Sequence, residues 1–228
     1  MVNPVLEAVG LWALIFLPGG FAGGIASKVI SQDKKILSGV ASQVTFIAMS
    51  LVIALTFNNG FRLLGLGYAS CCVLRAVLYS GLLALAIVLT TAIILNGYRY
   101  EPPFLPRSLP EIILVALILA PFSEELMYRG VVGGYLLSHA SLFISVLVPA
   151  ILFSLMHIIP YSTAPKPVLA TVLVGAFLLG LIAGYYRALS GSLLPAYASH
   201  STMNAVGILQ YRLEKRIYPD KQKVTRGQ

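Results

Sequence analysis

The sequence predicts an all-α integral membrane protein: a bundle of about seven transmembrane helices, with six or eight as the bounds, holding an active site within the membrane. Three observations predict it. Hydrophobic residues make up 58% of the 228 and charged residues only 11%, against about 25% charged in a soluble domain. Mean hydropathy is +0.87. Apolar runs long enough to cross roughly 30 Å of hydrocarbon follow one another with short polar breaks, leaving no room for a separate soluble domain.

The first helix falls near 5–27. Met1 to Gly10 contains no Lys or Arg and does contain Glu7, so the basic flank of a secretory signal is missing and the helix is read as retained. Helices near 38–57 and 73–96 follow, their limits blurred by the Gly-rich stretch 18–24 and the Gly/Tyr stretch 65–70. Cys71 and Cys72 are adjacent, which suits neither a bridge nor a metal site, and read as small apolar residues. A linker from Asn96 to Pro110 carries four prolines, which cannot continue a helix. Ser108 then starts a fourth helix, near 111–137, with Pro110 and Glu111 in its first turn. A tight turn at 138–141, bearing His139 as an interface residue, leads to a fifth near 141–159. The sixth, near 168–187, includes Gly175, Gly180 and Gly184, small residues suited to a lateral opening for an apolar substrate or to close packing. The seventh falls near 193–210. The chain thus divides into signature-free helices at 1–107, a core at 108–210 and a basic tail at 211–228.

The net charge of +8 reports topology. Lys28, Lys34, Lys35, Arg99, Arg107 and Lys166 fall in odd-numbered loops, and Arg212, Lys215, Arg216, Lys221, Lys223 and Arg226 in the tail. Arg62, Arg75, Arg129 and Arg187 belong to or border the even loops. The positive-inside rule places the odd loops and the C-terminus in the cytoplasm, with the tail against anionic lipid. Nucleic acid is excluded as a partner, because the basic residues lack interleaved aromatics and flank membrane segments. Compactness without organelle-targeting signals points to a prokaryotic plasma membrane.

The chemistry concentrates at Glu124-Glu125, two adjacent acids in an otherwise apolar helix. An ionisable group at the bilayer centre costs at least about 2.5–3.5 kcal/mol, and neighbouring carboxylates repel, so a cation or a proton must offset one of them. Arg129 stands four residues after Glu125, the favourable order for a helical ion pair. Glu124 points about 100° away and lacks that partner. A division of labour follows: Glu125 is held ionised by Arg129, and Glu124 is left to take and give protons. Pro121, three residues before Glu124, removes a backbone hydrogen bond and opens room for water. In the next helix His157 reaches the depth of Glu124 when both are counted from the 138–141 turn at about 1.5 Å per residue. Phe153, one turn before His157 on the same face, packs beside it, excludes lipid and is assigned to the substrate side. In the last helix His200 and Asn204 share a face and offer N–H donors for an oxyanion. Each element alone also fits a structural pair between helices.

Together, Glu124-Glu125 with Arg129, Phe153 with His157, and His200 with Asn204 stand as EExxxR, FxxxH and HxxxN on successive apolar segments. In this the chain resembles the CAAX protease and bacteriocin-processing family of intramembrane proteases, which includes the type II CAAX prenyl endopeptidases. The resemblance covers roughly residues 108–210. It implies cleavage of a peptide bond within or beside the membrane. For the CAAX enzymes that means removing the last three residues of a prenylated C-terminus. By position it implies that Glu124 and His157 activate water, His200 and Asn204 stabilise the oxyanion, and Glu125 and Arg129 orient the site. Some members act as scaffolds or immunity factors.

Metal dependence is open at this stage. A catalytic zinc needs about three protein ligands plus water, and the chain lacks HExxH. A metal-free mechanism with a glutamate base is therefore the preferred reading, with a divalent metal such as zinc as the alternative. The implied partners are membrane lipid and a membrane-associated or prenylated peptide. The competing functions are a non-catalytic scaffold or bacteriocin-immunity protein, and a proton-coupled transporter in which Glu124, His157 and His200 relay protons. The absence of an internal repeat weighs against the transporter.

Overall fold

The computed structural model describes residues 3–29, 36–68, 72–96, 100–102, 106 and 108–217, and their regular structure is helical throughout. Helix α1 (Pro4–Val29) and α2 (Ile36–Leu55) form an antiparallel pair. A short α3 (Gly60–Leu64) and the long α4 (Val73–Leu95) follow. Leu14, Leu17, Leu74 and Leu89 stand on the outside of these helices. Apolar surface on that scale needs a hydrocarbon solvent, and α1, α2 and α4 are long enough to cross one. The protein is a helical integral membrane protein.

The segment expected as one α-helix near 111–137 is helical from Leu109 to His139 but changes register twice. Three α segments, α5 (Leu109–Ile112), α6 (Ala120–Glu125) and α7 (Gly133–His139), alternate with π turns at Ile113–Leu119 and Leu126–Val132. Pro121 gives the physical reason for a shift just before it. It has no N–H to donate, and its ring crowds the carbonyl four residues back. The Ala120 N–H accordingly bonds five residues back, to Val115, as π turns do. Ser108 caps the rod as expected, its hydroxyl accepting from the Glu111 N–H at 3.4 Å.

The rod is the centre of the bundle, and every residue from Ser123 to Leu136 is buried. Helices α1 and α2 cover one side of it. After Ser141 caps the next helix, α8 (Leu142–Met156), α9 (Lys166–Ser190) and α10 (Leu194–Ile217) complete the bundle. Helix α9 is also long and apolar enough to cross a membrane. Helix α8 stops at Met156, so His157 is its C-cap residue and lies beyond the last full turn. Helix α10 outruns its expected end and carries Arg212, Lys215 and Arg216 as helical residues.

The three glycines of α9 are contact positions. A β-carbon at Gly180 would lie 2.8 Å from Ala150 Cα, one at Gly175 3.1 Å from Ile87, and one at Gly184 3.2 Å from Val146. All three are buried between helices.

The two ends of the bundle differ. At one, Tyr211 donates to Glu101 at 2.6 Å, the Tyr100 and Tyr161 rings meet at 6.2 Å, and Leu95 packs on Ala164 and Val168. At the other, the α3 turn is pinned from several directions. Arg187 Nη2 donates to the Leu63 carbonyl at 2.9 Å, the Leu193 N–H to Gly65 at 2.8 Å and the Ser192 hydroxyl to Gly67 at 2.6 Å. Gly65 has φ +69°, the left-handed region, and Gly134 approaches the Leu63 carbonyl with no room for a β-carbon. Leu64 is fully enclosed beneath this turn. At the same end Tyr135 hydrogen-bonds Glu7, and its ring stacks on His139 at 4.3 Å. Cys72 precedes α4 at φ +75°. Cys71, Lys34, Lys35, Arg99, Arg107, Lys221, Lys223 and Arg226 lie outside the described residues.

Candidate active site

Helix α6 presents both acids inward. Glu125 is fully enclosed and Glu124 is 8% exposed. Glu125 Oε1 accepts from Arg129 Nη1 at 3.0 Å and from His200 Nδ1 at 2.8 Å. A carboxylate only accepts, so the Nδ1 of His200 carries a proton and Nε2 is the nitrogen left for chemistry. That Nε2 faces Glu124 Oε2 at 3.8 Å. The gap is too long for a direct hydrogen bond, and an oxygen about 2.8 Å from each group fits across it.

His157 is ordered in the same way. Its Nδ1 donates to the Phe153 carbonyl at 2.8 Å, which leaves Nε2 as an acceptor when the ring is neutral. Phe153 itself is fully buried, and its ring is a shared platform. His157 packs edge-on at 4.8 Å, His200 at 5.3 Å and Tyr128 at 5.3 Å, and the Arg129 guanidinium lies 4.7 Å from the ring centroid. Phe153 thus touches three members of the expected constellation and presents no free surface.

Asn204 is occupied. Its Nδ2 donates to the Ala116 carbonyl at 2.9 Å. Ser201 and Tyr197, also on α10, donate to the Leu117 carbonyl at 2.9 and 3.3 Å. These acceptors are the ones Pro121 deprives of a helical donor. A four-residue register would pair Pro121 with Leu117, and a five-residue register would pair it with Ala116. The proline therefore creates the sockets into which α10 plugs, and that attachment sets His200 opposite Glu124. One N–H of the Asn204 amide remains beyond its bond to Ala116.

Several neighbours were not anticipated. The Ser123 hydroxyl hydrogen-bonds Gln43 of α2. Trp12 donates to the Tyr128 hydroxyl at 3.2 Å, which in turn donates to Met156 Sδ at 3.2 Å, tying α1 to the helix before His157. The signal was present in each case: Trp12 is the sole tryptophan, and Gln43 is the sole amide side chain in α1, α2 and α4.

The stretch that carries Glu124, Glu125, Arg129, His157, His200 and Asn204 also matches a protein-family model, over residues 106–206. The model is that of the type II CAAX prenyl endopeptidase Rce1-like domain, to which this stretch is similar. The Rce1-like family is a family of proteases, so the buried acids and histidines sit in the part of the chain that is similar to a protease family. Helices α1 to α4 precede the matched Rce1-like stretch. No curated protein and no solved structure matches the chain.

A metal fits these side chains poorly. Glu125 Oε1 is taken up by Arg129 and His200, and the His200 Nδ1 by Glu125, while Glu125 Oε2 has no hydrogen-bond partner among the described residues. Among the described residues no group of three or more His, Cys, Asp or Glu is placed to share one ion, whereas a catalytic zinc takes about three.

Proposed function

We propose that this protein is an intramembrane endopeptidase that cleaves CAAX-type prenylated C-termini, or similar membrane-associated peptides, with a water activated by Glu124. The observation that carries this reading is the approach of Glu124 Oε2 to His200 Nε2 at 3.8 Å inside a protease-family domain. A water in that gap gives a proton to Glu124 as its oxygen attacks the scissile carbonyl carbon. His157, whose Nδ1 is committed to the Phe153 carbonyl, accepts from the same water through Nε2. The oxyanion takes a donor from the remaining N–H of Asn204 and a second from His200 Nε2 when that ring is doubly protonated, an imidazolium between the two carboxylates. As the C–N bond breaks, Glu124 passes its proton to the departing amine. Glu125 and Arg129 hold His200, and Phe153 supports both imidazoles. In this reading side chains alone activate the water.

The positive-inside rule puts the Glu101 end in the cytoplasm, since Lys28, Lys166, Lys215 and Arg216 cluster towards it. His157 closes α8 on that side, its ring stacked 6.3 Å from Tyr161. A polar peptide terminus then enters from the cytoplasm while its lipid tail stays in the bilayer. The test is purified protein with a farnesylated CAAX peptide, with and without chelator, following release of the tripeptide. We expect release unaffected by chelator and lost in Glu124→Gln. No release by the wild type, or undiminished release by Glu124→Gln, overturns the reading. Loss on chelation that zinc restores overturns the metal-free mechanism alone.

A further inference from the structure

The imidazole of His157 is carried by a helix end. Helix α8 (Leu142–Met156) stops one residue before it, and the His157 N–H bonds back to the Ser154 carbonyl at 3.0 Å, in the tighter pattern of a terminal turn. Such ends fray, so a group that must keep its place there needs outside support. The last turn of α8 has support from two neighbours. The Ser154 hydroxyl donates to the Leu173 carbonyl of α9 at 2.8 Å. From the central rod, the Tyr128 hydroxyl donates to Met156 Sδ, one residue before His157, at 3.2 Å. The Tyr128 ring also meets Phe153 edge-on at 5.3 Å, and Phe153 supplies the carbonyl that holds His157 Nδ1. Tyr128 therefore touches both residues on which the placement of the imidazole depends. A phenol O–H turns about its C–O bond to suit its partners. Here Trp12 Nε1 donates to the oxygen at 3.2 Å, and the proton is left directed to the sulfur. Tyr128 is fully enclosed, so water does not compete for either bond.

We propose that Tyr128 is a positioning residue for His157: its hydroxyl, oriented by Trp12, anchors the end of α8 to the central rod and sets where the imidazole stands. This makes α1 part of the support of the site, although α1 lies outside the stretch that matches the protease family. The role in turnover rests on the peptidase reading above; the anchor does not. Edge-on ring contacts tolerate sliding, whereas two hydrogen bonds in series fix a direction. Misplacing a reacting group by about 1 Å can cost around 100-fold in rate.

Two variants separate this from a packing role. Tyr128→Phe keeps the ring against Phe153 and removes only the hydroxyl. Met156→Leu keeps the volume and removes only the acceptor. Ring-nitrogen NMR of the full-length protein gives a readout independent of turnover, with the His157 signals assigned by their loss in His157→Gln. We expect both variants to shift those signals and to leave His139, at the other end of the bundle, unmoved. On a farnesylated peptide kcat should fall roughly 10- to 100-fold in Tyr128→Phe, with KM changed less than about twofold. Both variants remove one and the same bond, so the double variant should lose no more than Tyr128→Phe alone. Unshifted His157 signals in Tyr128→Phe overturn the proposal whatever the activity. Fully additive losses in the double variant overturn the bond to Met156 as the anchor. Shifted signals with wild-type kcat overturn the positioning role in turnover. If the wild type cleaves nothing while Tyr128→Phe still shifts His157, the anchor stands and the peptidase reading falls.

Discussion

The Nδ1 of His200 lies 2.8 Å from Glu125 Oε1 while its Nε2 faces Glu124 Oε2 at 3.8 Å, so two adjacent carboxylates address opposite nitrogens of one imidazole. Glu125 is closed in by Arg129 and His200, and Glu124 sits at the edge of the enclosed region. The pair is asymmetric in contacts and in access. Substituting the two acids should therefore have different effects.

Glu124→Gln should lower kcat/KM by about 10²–10⁴-fold, the usual worth of a general base, with thermal unfolding in detergent unchanged. Glu125→Gln should cost about 3–5 kcal/mol of stability by leaving Arg129 buried without its counter-charge, and activity should fall with it. Melting curves and peptide assays on the two variants check this. A stable, inactive Glu125→Gln beside an active Glu124→Gln would reverse the assignment.

Phe153→Leu should keep the apolar volume but remove the platform under Arg129, His157 and His200. The lost cation–π contact is worth up to about 2 kcal/mol in a desolvated setting. A drop in melting temperature is expected together with lower kcat at similar KM. If Phe153 instead contacts substrate, KM for the prenylated peptide will rise while the melting temperature holds.

Gly180→Ala should destabilise by about 1–3 kcal/mol, the usual penalty of overpacking, because the new carbon would lie 2.8 Å from Ala150 Cα. Cleavage of prenylated and unprenylated peptides should slow alike. Selective slowing of the prenylated peptide would mean that α9 borders its path after all.

Ser201→Ala should cost about 1 kcal/mol by leaving the Leu117 carbonyl short of a donor. In a Pro121→Ala background, which returns a backbone N–H to the rod, the same change should cost less. A double-mutant cycle read by thermal unfolding measures the difference. Equal costs in both backgrounds would sever the link between the proline and the α10 attachment.

Much of this was legible in the sequence, for identifiable reasons. The Glu125–Arg129 pair depends only on helical spacing, and it formed as spacing dictates. The long helices follow from hydropathy, so α1, α2, α4 and α9 lie within a few residues of their expected limits. The π turns were not legible, because hydropathy reports which faces are apolar and is silent on hydrogen-bond register. Pro121 was read as a break that admits water. The carbonyls around it are instead met by Tyr197, Ser201 and Asn204, which no local pattern links to residues 80 or more positions away. Gln43, an amide alone in an apolar helix, carries the same implication as a buried charge on a smaller scale, and it meets Ser123.

The α3 turn has a bearing on the membrane's own integrity. A bundle that keeps two acids and two imidazoles in its interior risks becoming a wire for protons down the electrochemical gradient. Leu63, held by Arg187, and the fully buried Leu64 pack against Gly134 and Gly130 at the end of the bundle remote from Glu101. A hydrolase needs access from one side only, whereas a carrier must alternate between two. The same leucines that pack the α3 turn thus set apolar side chains, which carry no exchangeable proton, across one end of the bundle.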